Sequence, residues 1–574
     1  MDGITVASAS PTGYCPAHWI AKPFAGEREP GFSSEKDPVR SREPWMFIDA
    51  RSFSQNTVAE TGVCIIGAGA AGISMALSLR SAGFPVAVLE SGNFDFELPT
   101  QNLYAGEMAG IPNYPLDSSR LRFFGGTTNH WAGTCRPLDP EDFERRAAIP
   151  LSGWPLRRTD LVPYYEQAQQ LCQLGPFDYT PAFWSRQTGQ IDQPFDPARL
   201  KTAIFQMSPP TRFGQVYRDA LRQSDTVTVY LNANAVDLEA NPTASAVDVV
   251  KVACLGGPTF SLRPRIVVLA TGGLENARIL LLSNGVQPAG LGNTHDLVGR
   301  YFMDQAHFPW AGVARFAAPN PPVAHLARPG EHAFGVLAST REAALDANGT
   351  AGFQVLMIDL YRVVEGVDSL KTVADALAHF SLPEHLWDHL GNILRDSDAI
   401  ADSLYRTLAG SLTSPFTSEP PAGPVAGARM DILVEHTPNP ASRVLLTQDR
   451  DALGQNRIAL DWRLGDIERR TYQRAQESVA LELGRLGIGR VHLKPLPIGA
   501  WPENLLGTNH HSGTTRMSDD PKTGVVDASC RVHGVSNLYV AGSSVFPTVG
   551  YANPTLTIVA MALRLADELR RQMA

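Results

Sequence analysis

The sequence predicts an α/β protein, α+β overall, with one domain woven from separated pieces of chain and a second inserted between them. Three observations predict it. The chain has 574 residues, more than one ordinary domain holds. The stretch TGVCIIGAGAAGISMALSLRSAGFPVAVLESG reads as buried strand, glycine turn, helix and second strand, the order of a Rossmann-like unit. Residues 429 to 464, RMDILVEHTPNPASRVLLTQDRDALGQNRIALDWRL, read instead as antiparallel strands joined by turns.

In chain order, residues 1 to 45 are rich in Pro, Gly, Ser and charge without periodicity, and read as an N-terminal arm. Order is expected to begin at PWMFIDARSF. The uncharged run from Val63 to Leu79 is 17 residues long, at the short edge for a bilayer. Its glycines make it a buried strand, turn and helix instead. In GAGAAG, Gly67 permits the tight turn and Gly69, beside Ala70, lets the backbone approach a pyrophosphate. Gly72 lets helix and strand pack closely, and the helix N-terminus attracts the phosphate charge. Glu90 closes the next strand eighteen residues after Gly72, where a carboxylate accepts ribose hydroxyl bonds, with Ser91 beside it.

Further strands follow in TVTVYLNANAVDLEA and RIVVLATGGLENARILLLS, the second running into a helix. NLYVAGSSVFPTVGYANPTLTIVAMALRLADELRRQ supplies a last strand, a loop and a terminal helix. Between them, 353 to 365 read as strand and 367 to 410 as helical. The expected nucleotide-binding domain thus comprises 58–150, 225–310 and 505–574. The expected second domain and its connecting segments comprise 151–224 and 311–504.

Hydrophobic residues make up 44% and charged residues 19%, a globular composition. A net charge of -9 argues against nucleic acid, which basic surface engages. Six cysteines show no Cys-x-x-Cys and no metal-ligand spacing, so no metal is expected and a reduced, cytoplasmic setting is. The N-terminus lacks the basic-then-apolar order of a signal peptide, so export would need a carrier subunit. Only one dinucleotide fingerprint exists, because GLGNTHDLVG at 290–299 neither follows a strand nor opens a helix. If the ligand is FAD, its electrons are therefore expected directly from an organic substrate.

Four further stretches, RLRFFGGTTNHWAG (120–133), VVLATGGLENARIL (267–280), NHHSGTTRMSDDPKTGVVDASCRVHGVSNLYVAGSSVFPT (509–548) and YANPTLTIVAMALRLAD (551–567), resemble the glucose-methanol-choline (GMC) flavin oxidoreductases. The resemblance runs from about residue 58 to the C-terminus, weakest between 310 and 500. Its flavour is that of the bacterial sugar and polyol branch, similar to pyranose oxidases and the flavin subunits of gluconate and fructose dehydrogenases.

The resemblance implies an FAD domain roofed by the sheet of a substrate domain. Around FAD it places Gly125, Gly126, Thr127, Asn129, His130, Trp131 and Ala132 of the first motif. It adds Ala235 and Val236, then Ala270, Thr271, Gly272 and Asn276, then Gly542 and Ser543, and last Pro554 and Thr555. His130 matches a position at which some pyranose oxidases bond flavin covalently, although Ala132 departs from their pattern. The H-x-x-G segment ending at Gly513 makes His510 the implied base, taking a hydroxyl proton as hydride leaves carbon. His511 stands where relatives often carry proline.

The implied second active-site member is Asn553 before Pro554, and read from residues alone Asn is also a good N-cap and Pro a good first helical residue. Gln354, Asp359, Tyr361, Glu435 and His436, with His511, are polar candidates for substrate contact, though a solvent-facing strand shows the same alternation.

The expected activity is FAD-dependent oxidation of an alcohol group of a sugar, polyol or glycosylated metabolite. Oxygen, a quinone or a separate redox protein would accept the electrons, and an oligomer is compatible with the sequence. The alternatives are a non-sugar alcohol of natural-product biosynthesis, or a flavin-binding interaction subunit without chemistry, against which the pair His510 and Asn553 counts.

Overall fold

The computed structural model describes residues 46–188, 194–317, 333–344, 350–360, 386–395 and 427–573, with isolated positions between 369 and 383. The expected N-terminal arm and Tyr361 lie outside the described residues. Within a single unit starting at Trp45, the described residues form three sheets from eighteen strands.

The larger sheet uses Phe47–Asp49 (β1), Thr57–Ile66 (β2), Val86–Leu89 (β3), Val227–Leu231 (β7), Asn234–Ala240 (β8), Val247–Ala253 (β9), Thr259–Leu269 (β10) and Leu538–Val540 (β18). Its order is β1-β7-β3-β2-β10-β9-β8, with β18 beside the end of β10. The centre is parallel: Val63–Ile66 pairs with Val86–Leu89 on one side and Ile266–Leu269 on the other. Those residues are buried on both faces, which is why they read as continuous apolar runs rather than alternations. Three distant pieces of chain therefore meet in one sheet, and β1 joins it ahead of the boundary expected at 58.

The second sheet has the order β17-β11-β14-β13-β12-β6-β5. Its strands are Thr134–Cys135 (β5), Lys201–Met207 (β6), Ala306–Phe316 (β11), Ala333–Ala338 (β12), Phe353–Leu360 (β13), Gly427–Val434 (β14) and Gly489–Leu493 (β17). Every pairing in it is antiparallel. The third sheet joins the hairpin Arg443–Arg450 (β15) and Asn456–Asp461 (β16) to Glu107–Met108 (β4). The stretch expected as one antiparallel set is thus divided, β14 entering one sheet and the hairpin another. The prolines of HTPNPAS fall between them and cannot donate to a ladder.

Helices Ala70–Leu79 (α1), Arg158–Leu171 (α2), Gly272–Leu282 (α3), Leu386–Arg395 (α4), Asp466–Arg485 (α5) and Thr555–Met573 (α6) complete the elements used below. α1 is buried on nearly every side, as an all-round apolar helix must be, and α6 packs on it within the core of the large sheet. α5 places Tyr472, Ala475, Val479 and Leu483 against one face of the second sheet, where Phe308, Phe353, Val355, Ile432 and Val434 meet them. By alternation, the opposite face carries Gln354, Asp431, Leu433 and His307. No described helix is long and apolar enough to cross a membrane.

Candidate active site

The phosphate turn is held by its own backbone. Gly67, at φ +106°, donates its N–H to Leu89 O at 2.8 Å. A Cβ on Gly72 would lie 1.9 Å from Gly67 O, so only glycine fits there. Beside Gly69 nothing lies within 4 Å, and no side chain caps α1. Gly125 N–H bonds Ala68 O at 2.9 Å, bringing Gly126 over the turn, where its Cβ would come 3.1 Å from Gly69 Cα. The residues present fit a dinucleotide: an uncapped helix N-terminus, open space at its first turn and two glycine loops crossing without a carboxylate between them.

Glu90 lies buried beneath, accepting Ala68 N–H at 2.9 Å and Gly92 N–H at 3.0 Å. Burial raises its pKa above the ordinary carboxylate value, and those N–H groups and the Arg122 charge oppose the rise. Ser91 Oγ accepts Arg122 Nε at 2.6 Å. Ala235 lies on β8, and the pairing with β9 shifts at Val236 between Ala235 and Asp237.

Several expected cofactor contacts have structural employment. Asn276, fully buried, accepts the N–H and hydroxyl of Thr271 and donates to Ala541 O and Ser544 Oγ, so it staples α3 to the turn after β18 instead of facing a ligand. Asn129 donates to Phe124 O and Trp131 to Thr211 O. Ala270 N–H continues the sheet to Ile66 O, and Gly272, at φ +90°, has open space beside it. Thr127, His130 and Ala132 are the exposed members of their segment, and the His130 imidazole has no hydrogen-bond partner among the described residues. Surrounding protein and the Arg212 charge lower its pKa.

Two loops bring His510 and Asn553 together, with Asn553 Nδ2 3.3 Å from His510 Nε2. Asn553 is not the helix cap expected for it: α6 starts at Thr555, and Pro554 O accepts the first helical bond from Ile558 N–H at 2.8 Å. The amide is directed at the imidazole instead.

The other ring nitrogen fixes the tautomer. Gln305 Nε2 donates to Gly550 O at 2.9 Å and Ala552 O at 3.1 Å, which turns its Oε1 toward His510 Nδ1 at 3.0 Å. Thr508 Oγ1 lies 2.9 Å from the same Nδ1 and donates its own proton to Asp304 at 2.8 Å. With acceptors on both sides Nδ1 carries the proton, leaving Nε2 a lone pair facing Asn553. Burial lowers the His510 pKa below the ordinary imidazole value and the Asp304 charge partly restores it, so the ring is neutral at pH 7. Some of its surface stays accessible.

Asp304, fully buried, shapes the loop. Its carboxylate accepts the backbone N–H groups of Thr508, Asn509 and His510 at 3.0 to 3.1 Å, with Asn509 at φ +61°. His436 in turn accepts Asp304 N–H and the Trp462 indole on Nδ1 and donates from Nε2 to Arg463 O.

His436 is therefore an internal support rather than a substrate contact. Glu435 corrects the same way: it forms a fully buried two-bond ion pair with Arg146, both bonds 2.6 Å, and accepts Gly352 and Gly550 N–H. Gln354 donates to Tyr551 O at 3.0 Å, so two glutamines hold the carbonyls of residues 550, 551 and 552 in succession. Asp359 pairs with Ala428 on β13, and nothing of its side chain is described.

His511, 7% exposed, packs its ring on Phe302, and its carbonyl accepts Ser543 Oγ at 2.6 Å. Burial pushes its pKa down to about 4. Gly542, at φ +106°, makes the turn that delivers Ser543.

Asp304, Gln305 and Thr508 escaped the sequence reading. One signal was present: the polar pair Asp304-Gln305 interrupts the apolar YFM–AHF run, where a buried polar group demands a partner. Among the described residues no cluster of His, Cys, Asp and Glu is suited to a metal ion.

Residues 62–289 match the family model described as FAD dependent oxidoreductase, and 438–562 that described as GMC oxidoreductase. The chain is 23% identical to 2-methyl-1,2-propanediol dehydrogenase of Mycolicibacterium austroafricanum, over 90% of this chain and 96% of that protein. It is 22% identical to the fructose dehydrogenase large subunit of Gluconobacter japonicus, over 90% and 98%. To 6'''-hydroxyparomomycin C oxidase of Streptomyces lividus it is 25% identical over 89% and 92%.

Proposed function

The chain belongs to the GMC oxidoreductases, FAD-dependent enzymes acting on CH–OH groups, and from that premise we propose that it oxidises an alcohol of a sugar, polyol or glycosylated metabolite with His510 as base. The observation that carries this reading is the fixed tautomer: Nε2 of a neutral, accessible imidazole, with its lone pair beside the Asn553 amide.

FAD, when bound, supplies the hydride acceptor. His510 Nε2 takes the hydroxyl proton, and the imidazolium so formed is stabilised through Nδ1 by Gln305 and by the Asp304 charge. Asn553 Nδ2 turns from the imidazole to donate to the substrate oxygen and orients the carbon that loses hydride. Asp304 holds the backbone from Thr508 to His510, so the base does not drift.

Relatives named for a diol, for fructose and for a hydroxyparomomycin support a hydroxylated substrate. The diol name also favours a second reading, a non-sugar alcohol. Anaerobic bleaching of the flavin across sugars, polyols, glycosides, aliphatic and aryl alcohols separates them: bleaching by sugars or polyols is expected, and bleaching by the other alcohols alone overturns the substrate assignment.

Oxygen, a quinone or a separate redox protein completes the cycle; turnover in oxygen compared with turnover on a ferrocenium dye distinguishes an oxidase from a dehydrogenase. The exposed, unpartnered His130 carries a finer proposal, covalent attachment of the flavin. Acid precipitation should then carry the flavin into the pellet, and flavin in the supernatant overturns it.

A further inference from the structure

The face of the second sheet that meets the catalytic loops carries a polar cluster the proposed chemistry does not use. Gln305 and His307 lie on that face by alternation, while Phe308 points into the core under α5. His307 pairs across to Leu433, and Leu433 to Gln354, whose amide reaches Tyr551 O. Further along the same face, Asp431 is 1% exposed and accepts three donors. They are His307 Nε2 at 3.2 Å, Arg429 Nη2 at 2.7 Å and Trp310 N–H at 3.0 Å.

The backbone is distorted to build this. The β11–β14 pairing shifts between Phe308 and Gly312, and Trp310 sits at φ +56°, 43% exposed as a residue, with the Arg429 guanidinium 5.1 Å from its ring centroid. A bulky residue at positive φ is strained, and bulges recur where a side chain is re-aimed beside a site. Arg429 Nε has no partner among the described residues.

The chemistry left over is specific. Donating from Nε2 to Asp431 leaves His307 Nδ1 as an acceptor, Arg429 keeps uncommitted donors, and Trp310 offers an apolar ring face. Asp431 cancels the Arg429 charge, so the cluster favours no anion. A neutral hydroxylated ring matches it. His307 lies roughly 7 Å along the strand from Gln305, and Asp431 roughly one such step further. A second ring would fall at that spacing if the first presented its alcohol to His510.

We infer that His307, Trp310, Arg429 and Asp431 form a distal subsite that binds the second sugar ring of a glycoside, making two-ring glycosides the preferred class. This rests on the sugar, polyol or glycoside reading above and deepens it.

The test uses the FAD-loaded full chain, with anaerobic flavin bleaching followed against concentration of D-glucose, maltose, isomaltose and cellobiose. At least one disaccharide should half-saturate about tenfold below glucose, the worth of about 1.4 kcal/mol. Trp310→Asn, in which asparagine tolerates positive φ, and His307→Gln should each cut that preference about tenfold, mainly through the half-saturating concentration. Equal concentration dependence for one and two rings, or a preference that both folded, FAD-retaining variants keep, overturns the subsite and leaves the alcohol chemistry standing. Bleaching by none of these sugars nor by any other alcohol overturns the chemistry, and the subsite with it.

Discussion

The phosphate turn and the loops that carry His510 and Asn553 solve the same problem, holding backbone in place, by opposite means. The turn is local: Gly67, Gly69 and Gly72 fall within six residues, and its restraints are close backbone approaches. The catalytic loops are assembled from afar, with side chains as the restraints. Asp304 holds residues 508 to 510, Gln305 and Gln354 hold 550 to 552, and Glu435 with Arg146 anchors Gly550. The contiguous device tolerates no added atoms at Gly67 and Gly72, whereas a dispersed one tolerates shape changes and fails when a polar partner is lost.

That contrast can be broken first at the turn. Gly72→Val places side-chain atoms where even a Cβ lies 1.9 Å from Gly67 O, so FAD should be absent from the purified protein; retention of stoichiometric flavin would show the turn to be more pliable than drawn. Glu435→Ala attacks the dispersed side by stranding the fully buried Arg146 charge. Thermal or denaturant unfolding should report a loss of about 3–5 kcal/mol.

A smaller and more selective effect is expected at Gln305. Gln305→Leu removes the Nδ1 acceptor and should lower the limiting rate of flavin reduction about 10²-fold with FAD retained, the low end of what a positioned base contributes. Gln305→Glu keeps an acceptor and adds a charge, so the acid limb of the rate profile should move to higher pH. A merely structural glutamine would move no pH profile.

Smallest is the proton linkage of His511. Its folded pKa of about 4 lies below its ordinary 6.5, so the unfolded chain binds the proton first. Stability should be fully present above about 6.5 and decline as pH falls toward about 4, and His511→Phe should flatten that decline.

These two regions also explain what was legible. Glycine spacing, the strand before it and Glu90 lie within one short window, and pattern alone reads them. His510 and Asn553 were named through family motifs, but their contact and the Nδ1 clamp join residues 305, 510 and 553 through sheet register, which no local pattern encodes. Gln354 on β13, and Glu435 and His436 just past the end of β14, fall in stretches that read as polar positions of a strand, like ligand contacts. Burial, against the 550–552 loop for Gln354 and Glu435 and against Asp304 and Trp462 for His436, is a tertiary fact and makes them supports. Of the two roles the sequence allows Asn553, capping drops out because the helix starts at Thr555 with Pro554 O accepting its first bond, which the Asn-Pro signal does not reveal.

Of two adjacent histidines, His510 is the proposed base and His511 is not. Stopped-flow flavin reduction by a bleaching substrate, with FAD content measured alongside, tests it most directly in His510→Ala and His511→Ala. His510→Ala should keep FAD and lose about 10²- to 10⁴-fold in reduction rate, while His511→Ala should lose much less. Reduction at the parent rate in FAD-loaded His510→Ala, or the larger loss at His511, would contradict it.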